Sequence, residues 1–391
     1  MLEEKIYQFW LHQLPGVGDR TAERLLSVFG SAKEVCLAGN GLKRVLSQKS
    51  VERILEFNKT FDAKRAYEQM LDKKLCFYTV EDNDYPQRLK RLSRPPYGLY
   101  CLGKLPEDNR PAAAIIGARE CSEYGRYMAR AFAGELARAG VSVISGMARG
   151  IDGLGQQAAL GQGGRTYAVL GCGADICYPA SNQGLYQEIV EKEGGILSVF
   201  PPGTPPAKGQ FPERNRIVAG LSDVVLVVEA RQKSGTLITV DLALEQGKNV
   251  YAVPGRLTDR LSDGCNLLIR QGAGIALAPG DILAELRLLE NRKALGTAAA
   301  AKTPPEEGGI LDFLDYHPES ADEILAKIRK AGVSMELPRL LTELVGLCME
   351  GKAGQSGGSY FFRCGEPDLF AEEKKNRYND RQKTEKGEED K

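Results

Sequence analysis

Histidine is almost absent from this chain of 391 residues, which contains only His12 and His317. Neither lies in the central part of the chain, where short apolar stretches alternate with glycine-rich turns. A histidine general base, a catalytic triad and a histidine-rich metal site are therefore excluded there. Acidic side chains or a single cysteine remain available, so the scarcity of histidine narrows catalysis without excluding it.

An excess of charge of either sign is also missing. Lys and Arg total 52, as do Asp and Glu, so the formal net charge is +0. Attraction of nucleic acid by the overall field is excluded, and any such binding must come from a local patch.

The nine cysteines contain no C-x-x-C pair, the closest two being Cys172 and Cys177. A signal peptide and a long apolar span are missing too. These features predict a cytoplasmic protein with reduced thiols, without a membrane segment and without a metal or other cofactor.

The chain divides into five predicted parts. They are a helical domain (1–72), an α/β domain (73–290), a linker (291–308), a small helical unit (309–365) and a charged, disordered tail (366–391). In the first part, Pro15-Gly-Val-Gly18 between two helical stretches is typical of a helix-hairpin-helix. Glycine amides in such a turn hold a DNA phosphate in some proteins, and in others the turn simply needs glycine.

The small unit combines three predicted helices with a glycine-rich hairpin, which indicates a winged helix. Its third helix carries Glu336, Glu343 and a single Arg339. A helix so poor in basic residues favours protein contact or a degenerate role over DNA binding.

The α/β domain is predicted to be an extended Rossmann-like, doubly wound parallel sheet, because apolar strands alternate with helical stretches. The predicted strands are Ala113–Ile116, Val141–Ile144, Tyr167–Leu170, Ile196–Val199, Val224–Val228 and Val250–Val253. The predicted helices are Tyr124–Ala139, Ile151–Gly161, Leu185–Glu193, Arg216–Leu221 and Thr236–Gln246.

Several of these strands end in residues that suit a phosphate. Glycines let the backbone approach an anion, helix N-termini present free N–H groups, and guanidiniums bind oxyanions. The segments are Gly117-Ala-Arg119, Ser145 to Asp152, Gly171-Cys-Gly173, Arg214-Asn-Arg216 and Ser234-Gly-Thr236. Because parallel strands end at one edge of a sheet, we expect an anion-binding crevice there.

A polymer fits this crevice better than a single nucleotide. The anion-binding turns extend along the edge, and neither G-x-G-x-x-G after the first strand nor a Walker lysine motif is present. Tyr124, Tyr178 and Phe211 offer faces for base stacking, although they fit a core role equally well. Asp152 as a loop cap, Arg149 as a surface ion pair and Gly171 as a tight turn remain alternatives.

The longest motifs resemble the DprA/Smf family of DNA-processing proteins. They are SGMARGID (145–152), FPERNR (211–216), SGTLIT (234–239), VPG (253–255) and GCNLLIRQGA (264–273), accompanied by GAR (117–119) and YP (178–179). The resemblance implies a non-enzymatic protein that binds single-stranded DNA, forms a homodimer and helps to load the recombinase RecA in natural transformation. It implies a DNA site at Gly117, Arg119, Ser145, Gly146, Arg149, Gly150, Arg214, Asn215, Arg216, Ser234, Gly235 and Thr236.

The chain departs from the family pattern at four positions. Ala118 replaces a usual Ser, Gln156 a usual His and Val199 a frequent Glu, and Ala180 stands where some relatives have a basic residue. Lys208 is a candidate to compensate for the last change.

Two other classes of function remain open. One is a nucleotide hydrolase of the lysine-decarboxylase-like group, although its PGGxGTxxE motif is missing. The other is a protein-interaction scaffold.

Overall fold

The computed structural model describes residues 2–287, 310–314, 319–330, 335–349, 352–356 and 360–363. The chain forms two compact units, Met1–Leu295 and Gly296–Lys391. The predicted linker and tail, as well as His317, lie outside the described residues. Within those residues, no helix has both the length and the apolar character needed to cross a membrane.

The first unit contains thirteen helices and nine strands among its described residues. The helices are α1 Leu2–Gln13, α2 Asp19–Phe29, α3 Ala32–Leu37, α4 Gln48–Thr60, α5 Ala63–Asp72, α6 Gln87–Lys90, α7 Glu123–Arg138, α8 Ile151–Gly161, α9 Gln183–Glu191, α10 Gln210–Leu221, α11 Gly235–Glu245, α12 Asp263–Arg270 and α13 Pro279–Glu285. The strands are β1 Leu75–Thr79, β2 Gly98–Gly103, β3 Ala112–Ile116, β4 Ser142–Ser145, β5 Thr166–Val169, β6 Gly195–Ser198, β7 Val224–Val227, β8 Asn249–Ala252 and β9 Gly274–Ile275. Short 3-10 helices span Gly39–Arg44 and Ala180–Asn182.

All nine strands form one sheet in the order β1-β2-β6-β5-β4-β3-β7-β8-β9. The seven neighbouring strands β6-β5-β4-β3-β7-β8-β9 pair in parallel, which confirms the predicted doubly wound α/β fold. The sheet is mixed, however, because β2 runs antiparallel to both β1 and β6. Strands β4, β5 and β6 are added on one side of β3, and β7, β8 and β9 on the other. The switch point therefore lies between β3 and β7, and ligands bind at such a point in doubly wound folds.

The central strand β3 is buried along its whole length, which explains its run of alanine and isoleucine. Helices α7 and α8 pack on one face of the sheet through small residues. A Cβ on Gly155 would lie 3.3 Å from Ile115 and 3.7 Å from Ala133, so the absence of a side chain lets α8 approach closely.

Two sequence predictions are corrected in detail. Helix α10 begins at Gln210, six residues before the predicted start at Arg216, so the whole FPERNR motif is helical. Strands β1 and β2 were not among the predicted strands. They become strands by pairing with each other and with β6.

The N-terminal helices form the predicted helix-hairpin-helix. Helix α1 ends at Gln13, Gly16 adopts a positive φ of 79°, and α2 begins at Asp19. Phe9 of α1 packs edge-on against Tyr67 and Phe77. The helical domain is therefore packed on the antiparallel end of the sheet.

The second unit combines a 3-10 helix (Ile310–Phe313), α14 (Ala321–Lys330), α15 (Leu337–Met349) and the strands β10 (Glu319–Ser320), β11 (Ala353–Ser356) and β12 (Tyr360–Arg363). The strands form an antiparallel sheet in the order β10-β12-β11. Helices followed by a two-stranded hairpin are the arrangement of a winged helix, as predicted. On α15, Arg339 forms an ion pair with Glu343, which neutralises the charge of that arginine.

Candidate nucleic-acid interface at the strand ends

The loops that follow β3 and β7 meet at the switch point. The amide of Ala118 donates to the carbonyl of Glu229 at 2.8 Å. The Glu229 carboxylate accepts hydrogen bonds from the amide and hydroxyl of Ser122, just before α7. These bonds fix the backbone on both sides of Arg119, whose own side chain is exposed.

The loop from Ser145 to Gly150 lies beside them, at the end of β4. The hydroxyl of Ser145 donates to the Ile115 carbonyl at 2.6 Å and is buried. Ser145 belongs to the predicted DNA site, but its hydroxyl is engaged in a hydrogen bond within the protein. Gly150 has a φ of 75°, and a Cβ there would overlap the carbonyls of Ala118 and Arg119.

Three further side chains hold the same loop. Asp152 accepts from the Gly146 amide at 3.2 Å, and Gln156 accepts from the Met147 amide at 3.1 Å. Asn182 donates to the Met147 carbonyl at 2.9 Å. Sequence reasoning treated Gln156 only as a departure from the family and missed Asn182, whose single signal was a polar residue after the Tyr178-Pro179 turn.

Arg214 is the buried cation of this edge, with 6% of its surface exposed. Its Nη1 donates to the carbonyls of Gly146 (2.5 Å) and Val169 (2.8 Å), and its Nε donates to Oδ1 of Asn215 (3.0 Å). The guanidinium thus joins the loop after β4 to the end of β5. The predicted pair Arg214 and Asn215 is brought together, with Asn215 orienting the arginine.

The Arg214 charge is opposed by a buried carboxylate. Burial lowers the pKa of Arg214, and the charge of Asp152 acts in the opposite direction. Burial likewise raises the pKa of Asp152, and Arg214 counteracts this. Because a buried charge needs a partner, removing either one exposes the other to the full desolvation cost.

Phe211 lies close to both Arg119 and Arg214. The Cζ atom of Arg119 is 5.5 Å from the centre of its ring, and that of Arg214 is 5.7 Å from it. The ring packs on the bare backbone of Gly171, where a Cβ would lie 3.0 Å from the ring. Tyr178, whose ring centre is 6.0 Å away, is 38% exposed. The aromatic residues considered in the sequence therefore form a cluster, except that the hydroxyl of Tyr124 is bonded to Pro254.

Three cations lie in the loops that follow β3, β4 and β6. Arg119, Arg149 and Lys208 are exposed, and none of them forms an ion pair within the described part of the chain. Gly117 begins the loop after β3, and a Cβ there would overlap Ile151 and the Glu229 carbonyl.

The start of α11 contributes a helix N-terminus at the end of β7. Ser234 precedes the helix, and its Oγ is buried without a hydrogen-bond partner among the described residues. A Cβ added to Gly235 would meet no atom within 4 Å, and the φ of this residue is not positive. Neither packing nor backbone conformation therefore requires a glycine there. Thr236 follows on the first turn and is partly buried.

Arg216 lies apart from the other predicted site residues. Its guanidinium bonds to Glu213 and to the Arg94 carbonyl, and it is 3.6 Å from Asp19 at the start of α2. The Asp19 carboxylate also accepts from the Tyr97 amide at 3.0 Å. Two residues on from Arg214, this side chain points away from it on a helix and ties the hairpin domain to the sheet domain.

Comparisons of both the sequence and the structure with known proteins point to the family that the sequence motifs resemble. The family model described as DNA recombination-mediator protein A matches residues 76–287. Protein Smf of Synechocystis is 36% identical over 292 residues, which cover 71% of this chain and 72% of that protein. The DNA processing protein DprA of Streptococcus pneumoniae is 40% identical over 208 residues, covering 53% of this chain and 73% of that protein.

The X-ray structure of DNA processing protein A from Streptococcus pneumoniae matches the fold. The TM-score is 0.63 at 32% identity, with 73% of this chain and 98% of that chain covered. The matched family model and these relatives identify the chain: it belongs to the DNA recombination-mediator protein A family, the DprA/Smf proteins.

Proposed function

We propose that this protein binds single-stranded DNA along the strand-end edge without reading its sequence. The observation that carries the proposal is the position of Arg119, which is exposed and lies over Phe211 while the buried Arg214 supports the loop beneath. An exposed guanidinium beside an aromatic ring is suited to a phosphate and its neighbouring base.

The distribution of charge supports a polymer. The chain has no net charge, yet Arg119, Arg149 and Lys208, in three loops that follow strands of the parallel sheet, are exposed and lack carboxylate partners among the described residues. Phosphates neutralise such cations and release bound counterions, which makes binding salt-dependent.

The exposed ring of Tyr178 supports a preference for single strands. Bases stack on aromatic side chains only when they are unpaired and accessible, and every base has a stacking face. The same contact supports the proposed absence of sequence preference.

The finer functional assignments rest on the family. We propose that the protein makes and breaks no bond, protects incoming single strands in the cytoplasm and helps to load RecA onto them. We also propose a homodimer. Ile275 and Leu277, 49% and 69% exposed beside the edge strand β9, support a partner at that end of the sheet.

Fluorescence anisotropy with labelled oligo-dT and a duplex of equal length, at two salt concentrations, tests DNA binding. The wild type should prefer the single strand. Arg119→Ala should weaken binding to every sequence and lower the slope of log K against log salt by about one. Arg138→Ala, at the opposite end of α7, is the matched control. Unchanged affinity and slope for Arg119→Ala would refute the assignment.

The nucleotide-hydrolase alternative makes a different prediction. It requires release of free base from a nucleoside monophosphate, which chromatography detects. Asp152 and Glu229, two carboxylates at the site, are both engaged in holding loops. A scaffold would show no mobility shift with oligo-dT.

A further inference from the structure

A second group of basic residues lines a cavity at the opposite edge of the large sheet. The cavity has a volume of about 190 Å3 and is bounded by α6, the end of α11 and the segments that precede β3, β7 and β8. Asp223 directly precedes β7, and Lys248 directly precedes β8. Since parallel strands share one direction, this cavity is a full strand length away from the proposed DNA edge.

One ion pair forms the fixed wall of the cavity. The Arg88 guanidinium bonds to both carboxylate oxygens of Asp223, through Nε at 3.0 Å and Nη2 at 2.8 Å. It also donates to the carbonyls of Glu107 and Arg110, while Asp223 accepts from the Ala112 amide. These two charges neutralise each other and use their hydrogen-bonding capacity within the protein.

Two other cations at the cavity are not neutralised in this way. Lys248 and Arg91 form no ion pair within the described residues. The remaining carboxylate, Asp108, accepts from the Gln87 amide with both oxygens at 3.0 Å. The cavity therefore has two free cationic groups and one carboxylate that is already engaged.

The electrostatics of Lys248 favour an anion. Burial lowers its pKa; Asp223 opposes this, and the charges of Arg88 and Arg91 lower the pKa further. An anion in the cavity would offset both the desolvation and the repulsion between these cations.

One of the residues that line the cavity, Gln246, has an unused acceptor. Gln246 donates through Nε2 to the Arg216 carbonyl at 3.1 Å. Its Oε1 is buried and accepts no hydrogen bond from the described residues. A buried polar atom without a partner is costly, and a ligand that carries a donor would satisfy it.

We propose that this cavity binds a phosphate group that carries one hydroxyl, as hydrogen phosphate or a protonated phosphate monoester. Its anionic oxygens accept from Lys248 and Arg91, and its P–OH donates to Oε1 of Gln246. Sulfate has a similar size and charge but no proton near neutral pH. A site that uses a hydroxyl donor discriminates against an otherwise similar ligand that lacks it.

Titration of the full-length protein with inorganic phosphate, followed by 31P line broadening, tests the proposal. Arg119→Ala is the background, so that phosphate binding at the DNA edge does not contribute. Lys248→Met should weaken binding at least about fivefold, as expected for loss of a charge-assisted contact. Sulfate should bind about tenfold more weakly than phosphate.

The controls separate the cavity from general charge effects. Lys104→Met removes a lysine that is already paired with Glu193 and should leave phosphate affinity unchanged. Arg91→Met changes an exposed side chain, so it should fold normally and still weaken binding. Phosphate affinity in Lys248→Met or in Arg91→Met equal to that of the Arg119→Ala background, or equal binding of sulfate and phosphate, would overturn the proposal.

The source of the phosphate is a separate comparison. A deoxynucleoside 5′-monophosphate and a 5′-phosphorylated oligonucleotide are compared with inorganic phosphate and with the unphosphorylated oligonucleotide. If Lys248→Met weakens binding of the phosphorylated oligonucleotide alone, the cavity binds DNA ends. If the substitution weakens binding of inorganic phosphate and the nucleoside monophosphate, the cavity binds free phosphate or nucleotide.

Discussion

The guanidinium of Arg214 occupies the space that a side chain on Gly146 would need. Its Nη1 bonds to the Gly146 carbonyl at 2.5 Å, and a Cβ on that glycine would overlap three guanidinium atoms. The glycine and the arginine lie 68 positions apart, and the guanidinium leaves room only for a glycine at position 146.

Gly146→Ala should therefore destabilise the fold. The methyl group would displace a buried charge from its hydrogen bonds, and we expect a loss of about 2–4 kcal/mol in the free energy of unfolding. Urea denaturation measures it. Gly161→Ala, at the end of α8 where a Cβ meets no atom within 4 Å, is the control, and its stability should equal that of the wild type or exceed it by up to about 1 kcal/mol. A stable Gly146→Ala variant would mean that Arg214 moves freely.

Gly235→Ala should separate binding from stability. No atom lies within 4 Å of the added Cβ, and alanine favours a helix, so the free energy of unfolding should be unchanged or up to about 1 kcal/mol higher. Anisotropy with oligo-dT should show weaker binding, because the methyl group keeps a phosphate from the amides at the start of α11. Full affinity would remove Ser234 to Thr236 from the DNA site.

Arg216→Gln should behave in the opposite way. Loss of the contacts with Glu213 and Asp19 should lower the free energy of unfolding by roughly 1–2 kcal/mol, since the ion pairs are partly exposed. The affinity for oligo-dT should stay within about twofold of the wild type. A large loss of DNA affinity with normal stability would return Arg216 to the binding site.

His12 should make stability depend on pH. Burial lowers its pKa to about 4, against about 6.5 in an unfolded chain. Between these values the unfolded state binds a proton that the folded state does not. Stability is therefore complete above pH 6.5 and falls towards pH 4, by at most about 1.4 kcal/mol per pH unit. Denaturation curves of wild type and His12→Gln at pH 7 and pH 5 measure the difference, and parallel losses in both would contradict this assignment.

Much of the fold was predictable from local sequence. Helix α8 was predicted with its observed bounds, and the predicted strands of the parallel core all exist within one or two residues, because continuous buried apolar runs between glycine turns are specific. Strands β1 and β2 were not predicted, since their structure depends on pairing with β6, far away in the chain. The start of α10 was predicted six residues too late, at Arg216; Pro212 lies in the first turn of this helix, where proline is tolerated.

For the candidate site, the sequence determined which residue types are present: glycines at strand ends, arginines in FPERNR, and hardly any histidine. The tertiary structure alone decided which of these side chains are buried and which are exposed at the site. It buried Arg214 with Asp152, exposed Arg119 over Phe211, turned Ser145 inward and directed Arg216 towards Asp19. Spacing along the chain fixes the side of a helix or strand on which a residue lies. What that side meets depends on the elements packed against it, and for α10 these are the sheet edge at Arg214 and the hairpin domain at Arg216.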